Sequence, residues 1–326
     1  MKTSNKLILS ALLLAGAMNT AQAAVTSEFT CVAQAWGALR SGGSALQTFQ
    51  KCLKGGSSAD PHITTFQGLA YDHNFPGDYA LLDMQDDSGF SIVGRFVADK
   101  GNNAGTYTIA KAILFHWPAY NVEIHRGDEA LILINGIPTT LTNKNTLKIG
   151  DVGYIIRDGD TYFVANTVSD IATVVYANNY YLDIEVTIPA QADSLGLLGD
   201  PKFVQLLGSN GDELTTTSSV ADPELSQVNR ADFVSFIDSW RITDGTAFSA
   251  DNLPEIPDYN AKIYSLADLN PEQIAAAKQQ CDIFAQVFPD SFNQHNCLYD
   301  LGFGGMAFVS SVRHYQAYKQ RLQVLD

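Results

Sequence analysis

The sequence predicts a mainly β protein: an antiparallel β-sandwich flanked by an N-terminal helical hairpin and a C-terminal helical segment. Short runs of alternating apolar and polar residues, separated by Asn, Asp and Gly turns, fill residues 57–250. The flanking segments, 24–56 and 251–326, place apolar residues at helical spacing instead. With 326 residues, of which 46% are hydrophobic, the chain is long enough to bury one large core or two medium ones.

The strand zone contains runs that are typical of half-buried strands. Asn135-Gly136 and Asp158-Gly159 follow two of these runs and favour tight hairpins, because such turns need residues that tolerate a positive φ. Strands this short and regularly spaced are typical of antiparallel sandwiches and barrels. The predicted strands cover residues 79–83, 90–96, 121–125, 130–134, 154–157, 162–165, 173–176 and 181–188.

Acidic residues outnumber basic ones by 35 to 20, which gives a formal charge of −15 at pH 7. A chain this acidic is repelled by phosphate backbones and by anionic lipid surfaces. The composition therefore argues against nucleic-acid binding and against electrostatic membrane binding. Calcium, or a basic or neutral partner, remains compatible with it.

Residues 1–23 have the pattern of a secretory signal peptide. Lys2 and Lys6 form a basic start, residues 7–16 form an apolar stretch, and Ala21-Gln22-Ala23 is a small-x-small cleavage site. The apolar stretch is too short to span a bilayer. We therefore expect an exported protein that is secreted, periplasmic or held at the cell surface, with no membrane span.

The sequence contains four cysteines: Cys31, Cys52, Cys281 and Cys297. An even number in an exported chain favours disulfides, and the lack of a C-x-x-C pair argues against a zinc or redox site. Three pairings are possible. We expect the local one, Cys31 with Cys52 and Cys281 with Cys297, because each pair flanks a predicted helical hairpin whose open ends would meet.

Both helical segments carry recognisable boundaries. In the N-terminal hairpin, helices are predicted over 29–39 and 45–53, and the flexible run Gly-Gly-Ser-Ser at 55–58 ends the segment. In the C-terminal segment, Asn270 is the expected N-cap and Pro271 the first helical residue. Further along the segment Phe-Pro-Asp at 288–290 is expected to separate two helices, and before it Pro254 and Pro257 mark a linker.

Several motifs resemble a von Willebrand factor type D domain and occur in that family's order. Residues 60–72 (DPHITTFQGLAYD) and 75–82 (FPGDYALL) are similar to its opening, and 196–199 (GLLG) to its calcium loop. Residues 238–242 (DSWRI) are similar to its closing strand, and 297–308 to the cysteine-bearing segment that often follows. The resemblance implies a β-sandwich with an adhesive or structural role outside the cell.

Four positions depart from the family pattern. Leu198 replaces the cysteine of the usual Gly-Leu-Cys-Gly, and the thiols that animal members use for covalent multimerisation are missing. Gln67 stands at the acidic position of the opening motif, and Lys202 stands where the calcium loop normally has a second Asp or Asn. Ala59 replaces the glycine of Gly-Asp-Pro-His.

The loop over residues 200–213 is a candidate calcium site. Asp200, Asn210, Asp212 and Glu213 offer side-chain oxygens, and calcium binds six to eight oxygen ligands. The alternative interpretation is a solvated acidic turn, since acids beside glycines commonly form one. The family resemblance favours Ca²⁺ as a cofactor, whereas Lys202 and Gln67 weigh against it.

Asp60-Pro61-His62 is a candidate site of autocatalytic cleavage. The Asp60 carboxylate can attack its own backbone carbonyl, because the nitrogen of Pro61 becomes a comparatively good leaving group once it is protonated. His62 could donate that proton. Mucin-like members of the family cleave themselves at Gly-Asp-Pro-His. The alternative is that the dipeptide merely begins the first strand of the domain, where proline is tolerated.

The remaining histidines form no His-x-x-x-His zinc motif, and the sequence contains no Gly-x-Ser-x-Gly elbow, phosphate loop or dinucleotide fingerprint. We therefore predict a secreted, non-enzymatic protein for cell adhesion or extracellular structure, with an extracellular protein or glycan as its partner. Two alternatives stay open. One is a self-processing protein that cleaves its Asp60-Pro61 bond; the other is a lipid or small-ligand carrier, by analogy with egg-yolk lipoproteins.

Overall fold

The computed structural model describes residues 30–40, 52–58, 61–98, 108–126, 130–178, 180–214, 230–243, 247–249, 266–285 and 291–304. The predicted signal peptide, the linker prolines and Asp60 lie outside the described residues. The helices are α1 (Thr30–Arg40), α2 (Arg230–Ser239), α3 (Pro271–Ala285) and α4 (Ser291–Gly304), with a 3₁₀ turn at Leu266–Asp268.

Strands hold more of the described residues than helices do, and they pair into antiparallel β-sheets, as predicted. The first large sheet contains, in spatial order, β10 (Thr146–Ile149), β11 (Gly153–Asp158), β12 (Thr161–Asn166), β13 (Ile171–Ala177), β14 (Leu182–Pro189), β1 (Cys52–Ser58), β2 (His62–Thr64) and β3 (Ala70–Asp72). The N-terminal strand β1 therefore lies inside this sheet, between β14 and β2.

The second large sheet is built mainly from consecutive hairpins. Its spatial order is β15 (Ser194–Leu195), β4 (Gly77–Met84), β5 (Ser91–Ala98), β6 (Thr108–Trp117), β7 (Tyr120–Arg126), β8 (Ala130–Ile134) and β9 (Ile137–Thr139). Asn135 and Gly136 join β8 to β9 with φ values of 49° and 76°, which confirms the predicted tight turn. A separate pair is formed by β16 (Leu206–Leu207) and β17 (Glu213–Leu214).

Every predicted strand overlaps an observed one, but β6 was missed although it lies in the middle of its sheet. The two large sheets share one hydrophobic core. Phe115 and Trp117 enter it from β6, and Ile184 and Val186 enter it from β14. These pairs alternate with residues on the opposite face, as the two-residue period of a strand requires.

Helix α1 packs on the outer face of the first sheet, where Val32 contacts the cluster that contains Val174. Asp170 accepts hydrogen bonds from the backbone N–H groups of Cys31, at 2.9 Å, and Val32, at 3.0 Å. A carboxylate is favourable at a helix N-terminus, because the first N–H groups have no partner within the helix. The predicted Cys31–Cys52 disulfide is present and joins α1 to β1.

The predicted second N-terminal helix over 45–53 is wrong at its described end, because residues 52–58 form strand β1. The run at 55–58 is likewise part of a paired strand and does not act as a linker. The glycines serve close packing: a Cβ atom at Gly55 would lie 2.9 Å from the Thr64 carbonyl oxygen and 3.1 Å from the Phe66 ring.

The C-terminal helices form a hairpin that the Cys281–Cys297 disulfide closes, as predicted. Asn270 caps α3, since its Oδ1 accepts the Gln273 N–H at 2.9 Å. The Gln273 side chain in turn accepts the Asn270 N–H at 3.0 Å. This reciprocal capping box fixes the start of the helix at Pro271, the position expected from the sequence.

Candidate functional site

The register of β1, β2 and β3 places three polar side chains in one row. Ser58 lies opposite His62, and His62 lies opposite Asp72. Directly opposed residues on antiparallel strands share a face of the sheet. The alternate residues Ile63 and Tyr71 belong to the hydrophobic core, so the row lies on the face turned away from that core. All three side chains of this polar row are nevertheless buried.

His62 is fully buried between two carboxylates. Its Nδ1 atom lies 2.7 Å from Asp72 Oδ1, and its Nε2 atom lies 3.2 Å from Asp300 Oδ1. A carboxylate can only accept a hydrogen bond, so each contact requires an N–H group on the ring. The imidazolium ion supplies both N–H groups, whereas neutral imidazole supplies one. The geometry therefore favours a protonated His62.

Helix α4 covers the polar row. Asp300 comes from this helix, 238 residues after His62 in the sequence. The neighbouring residue Tyr299 accepts a hydrogen bond at its hydroxyl from Asn74 Nδ2, at 3.2 Å. The roles of Asp72 and Asp300 could not be predicted from the sequence, because their pairing with His62 depends on strand register and on a helix from the far end of the chain.

The structure describes two of the three residues predicted for self-cleavage, Pro61 and His62. The carbonyl oxygen of Pro61 accepts the backbone N–H of His73 at 2.9 Å, which fixes the chain at the start of β2. His62 follows Pro61 directly and is positioned by its two carboxylate partners. A protonated imidazole on the residue that follows the scissile bond is a possible proton donor, but its ring nitrogens contact Asp72 and Asp300 in this structure.

His73 is a second fully buried histidine, which sequence analysis did not single out. Its ring centroid lies 4.4 Å from that of Tyr79, 4.6 Å from Phe96 and 5.7 Å from Phe75. Among the described residues, neither of its ring nitrogens has a hydrogen-bond partner. Burial, followed by the positive charge of Arg241, lowers the pKa of His73 to about 3. The imidazole is therefore neutral at physiological pH.

The Gly-Leu-Leu-Gly motif connects the two halves of the fold. Leu197 and Leu198 are fully buried, and Leu198 fills the core at the position of the family's cysteine. Its N–H donates to the Leu81 carbonyl, and its own carbonyl accepts the Phe66 N–H. Gly196 has a φ of 117°, and a Cβ atom there would lie 2.6 Å from the Leu81 oxygen. This position therefore requires glycine.

The predicted calcium donors lie in two different turns. Asp200 Oδ1 accepts the backbone N–H of Lys202 at 2.6 Å, and burial raises the pKa of the Asp200 carboxyl. The Lys202 amine forms an ion pair with Asp193. Gln67, at the family's acidic position, donates a hydrogen bond to the Pro201 carbonyl. The opening motif is therefore tied to this turn by an amide group.

Asn210, Asp212 and Glu213 lie at the β16–β17 turn and are exposed. Asn210 and Asp212 are held together, with Nδ2 of the former 2.6 Å from Oδ2 of the latter. Within the described ranges, no group of three or more His, Cys, Asp or Glu side chains is arranged to hold a metal ion. The turn therefore offers a pair of adjacent oxygen donors, and calcium would have to complete its shell with backbone and water oxygens.

Residues 56–201 match the family model of the von Willebrand factor type D domain. No curated protein matches the chain. In the part of the chain that the structure describes, no helix has both the length and the apolar composition needed to cross a membrane. The matched segment runs from β1 through the polar row and the Gly-Leu-Leu-Gly motif to Pro201. Residues 56–201 of the chain are thus similar to a von Willebrand factor type D domain.

Proposed function

We propose that this protein is a secreted, non-enzymatic interaction module that binds an extracellular protein or glycan through its β domain. The observation that carries this proposal is the match to the von Willebrand factor type D domain over residues 56–201. Domains of this family generally act in extracellular adhesion or interaction. We further infer that the two large sheets, which share one core, form the sandwich of this family.

The surface after the matched segment supports a binding role. Phe203 and Val204 are adjacent, and 53% of each is exposed. Exposed apolar pairs on loops are costly to hydrate and commonly contact partners. Two disulfides and the strong negative charge also suit a protein that works outside the cytoplasm.

Binding of the purified protein to intact cells of its source and to an extracellular glycan panel tests this proposal. Specific binding should fall when Phe203 and Val204 are both changed to Ala. The matched control is Ile137→Ala, which removes an even more exposed apolar side chain from the edge strand β9. Absence of saturable binding to cells and glycans would contradict the interaction role.

Calcium binding at residues 200–213 is a further part of this proposal. The exposed oxygens of Asn210, Asp212 and Glu213 support it, and the positive charge of Lys202, which acts on Asp200, makes weak affinity the expectation. Calcium that binds only the folded state should raise the melting temperature. Asp212→Ala with Glu213→Ala should abolish the shift, whereas Asp151→Ala, an exposed acid elsewhere, should leave it intact. Equal melting curves in chelator and in calcium would contradict the site.

Self-cleavage at Asp60-Pro61 is a second candidate function, which the position of His62 between two carboxylates favours. In the reaction, the Asp60 carboxylate attacks its own carbonyl carbon, and the C–N bond to Pro61 breaks as that nitrogen takes up a proton. An anhydride remains on Asp60, and water or another nucleophile then opens it. Intact mass after incubation at mildly acidic pH should show two fragments, with none for Asp60→Asn. An unchanged mass between about pH 5 and 7.5 would contradict this candidate.

A further inference from the structure

The α3–α4 hairpin is a self-contained unit. Its disulfide packs with Ala277 and Leu301 in one small cluster, and Leu269, Tyr299 and Phe303 form another. Among the described buried side chains, neither cluster belongs to the core that the two large sheets share. The Gln273 side chain also donates to the Gly302 carbonyl at 3.1 Å, which ties α3 to α4. The described residues of this unit, 266–285 and 291–304, are therefore held to one another by a disulfide, a hydrogen bond and apolar contacts of their own.

Polar contacts join this unit to the β domain. Asp300 reaches His62, and Tyr299 reaches Asn74, which places two successive residues of α4 on the β2–β3 hairpin. Asp300 is 2% exposed and His62 is 0% exposed, so both groups are removed from water. A contact between buried charged groups depends on their protonation far more than an apolar contact does.

The groups that face His62 define how this contact responds to pH. Among the described residues, Asp72 faces its ring from β3 and Asp300 faces it from α4. Ser58 faces it from β1, and this hydroxyl does not titrate near neutrality. The phenol of Tyr299 bonds to Asn74 and carries no charge at neutral pH. The imidazole is thus in contact with an acidic group of the β domain and with an acidic group of the docked unit.

We propose that protonation of His62 controls the docking of residues 266–304 on the β domain. The docked unit supplies the carboxylate that accepts from Nε2, so docking favours the imidazolium form. By linkage, the docked state then binds one more proton than the undocked state across this titration, and docking weakens as the pH rises. Loss of the proton removes one of the two N–H groups with which the ring contacts Asp72 and Asp300, which weakens the contact that docks the unit on the polar row.

Hydration of the polar row lowers the free-energy cost of undocking. The hydroxyl of Ser58 is buried and has no hydrogen-bond partner among the described residues. Water that reaches the row after undocking can hydrate this hydroxyl together with His62 and Asp72, which offsets part of the lost contact. The undocked protein would therefore expose a polar surface that the docked unit hides, independently of whether the Asp60-Pro61 bond is cleaved.

Hydrogen exchange of the full-length protein between about pH 5.5 and 8.5 tests the proposal. After correction for the intrinsic pH dependence of exchange, protection of residues 266–304 should fall as the pH rises, by at most about tenfold per pH unit for one linked proton. Protection of β14, in the same sheet, should not follow this trend.

Asp300→Asn should flatten the pH dependence, because an amide accepts from Nε2 without favouring the charged ring. Asp282→Asn, which removes an exposed carboxylate from the same unit, should keep the wild-type profile. Tyr299→Phe removes the bond to Asn74 and leaves Asp300 and His62 in place, so it should lower protection at every pH with an unchanged slope. A flat wild-type profile, or an equal slope in wild type and Asp300→Asn, would overturn the proposal.

If Asp300→Asn does not fold, His62→Gln provides the test. A flat profile of this variant, next to a sloping wild-type profile, supports the proposal. A slope equal to that of the wild type overturns it.

Discussion

At the scale of single residues, the two buried histidines behave oppositely although they are separated by ten positions. His62 has a carboxylate at each ring nitrogen, whereas His73 is surrounded by aromatic rings and has no hydrogen-bond partner among the described residues. A charged ring is therefore favoured at the first position and excluded at the second. The sequence shows only two histidines near the start of a domain, because burial and partners depend on strands that meet in the fold.

His73 should make the protein less stable in acid. Its pKa is about 3 in the folded state and near 6.5 in the unfolded chain. Below about pH 6.5 the unfolded chain therefore binds a proton that the folded state does not bind. This group alone should lower the free energy of unfolding by about 2 kcal/mol between pH 7 and pH 5. His73→Phe should remove that contribution from urea unfolding curves measured at both pH values.

The control for this prediction is His116→Gln, a histidine that is partly exposed and hydrogen-bonded to Asn121. It should leave the difference in stability between pH 7 and pH 5 close to that of the wild type. An equal pH dependence in His73→Phe and in the wild type would show that the buried ring does not carry the effect.

At the scale of elements, the prediction from sequence succeeded where a segment carries its own signal. The capping box at Asn270 is local, and so is the alternation in the predicted strands. It failed at β1, because Gly55 and Gly56 look like a linker and their role depends on Thr64 and Phe66 in the neighbouring segment. It also missed β6, whose alternation in its first half is masked by small residues such as Ala110 and Ala112.

The Cys281–Cys297 disulfide should stabilise the α3–α4 unit locally. It closes a sequence separation of 16 residues, a length for which the loss of unfolded-state entropy contributes about 3 kcal/mol. Changing both cysteines to Ala should reduce the exchange protection of α3 and α4 while that of β14 stays unchanged. The matched variant without Cys31 and Cys52 should loosen α1 instead. Uniform loss of protection across the β domain in either variant would argue against local stapling.

At the scale of the whole molecule, residues distant in the sequence are assembled around the first strands of the domain. Strand β1 pairs with β14 on one side and β2 on the other, and Asp300 of α4 contacts His62 in the polar row. The family motifs predicted where the domain lies. They could not predict that β1 pairs with β14 or that Asp300 contacts His62, because the residues of each pair lie more than 100 positions apart in the sequence.

The position of β1 changes what cleavage near Asp60 would do to the molecule. The predicted disulfides do not cross the bond, so the sequence alone predicts that the N-terminal segment separates once the bond breaks. In the structure, Cys31 and Cys52 both lie before the bond, yet residues 52–57 pair with β14 along most of β1. Strand β1 is held by hydrogen bonds on both edges and by the disulfide to α1, which itself packs on β12 and β13.

A protein that is cut between β1 and β2 should therefore stay in one piece under native conditions. A protease site inserted after Ala59 makes this testable whether or not the chain cleaves itself. After cutting, size-exclusion chromatography should give a single species of the uncut size, and the N-terminal fragment should leave only in denaturant. The disulfide-free variant of Cys31 and Cys52 should release the fragment at lower denaturant, because α1 is then no longer tethered to β1. Spontaneous release of the fragment in native buffer would contradict the interior position of β1.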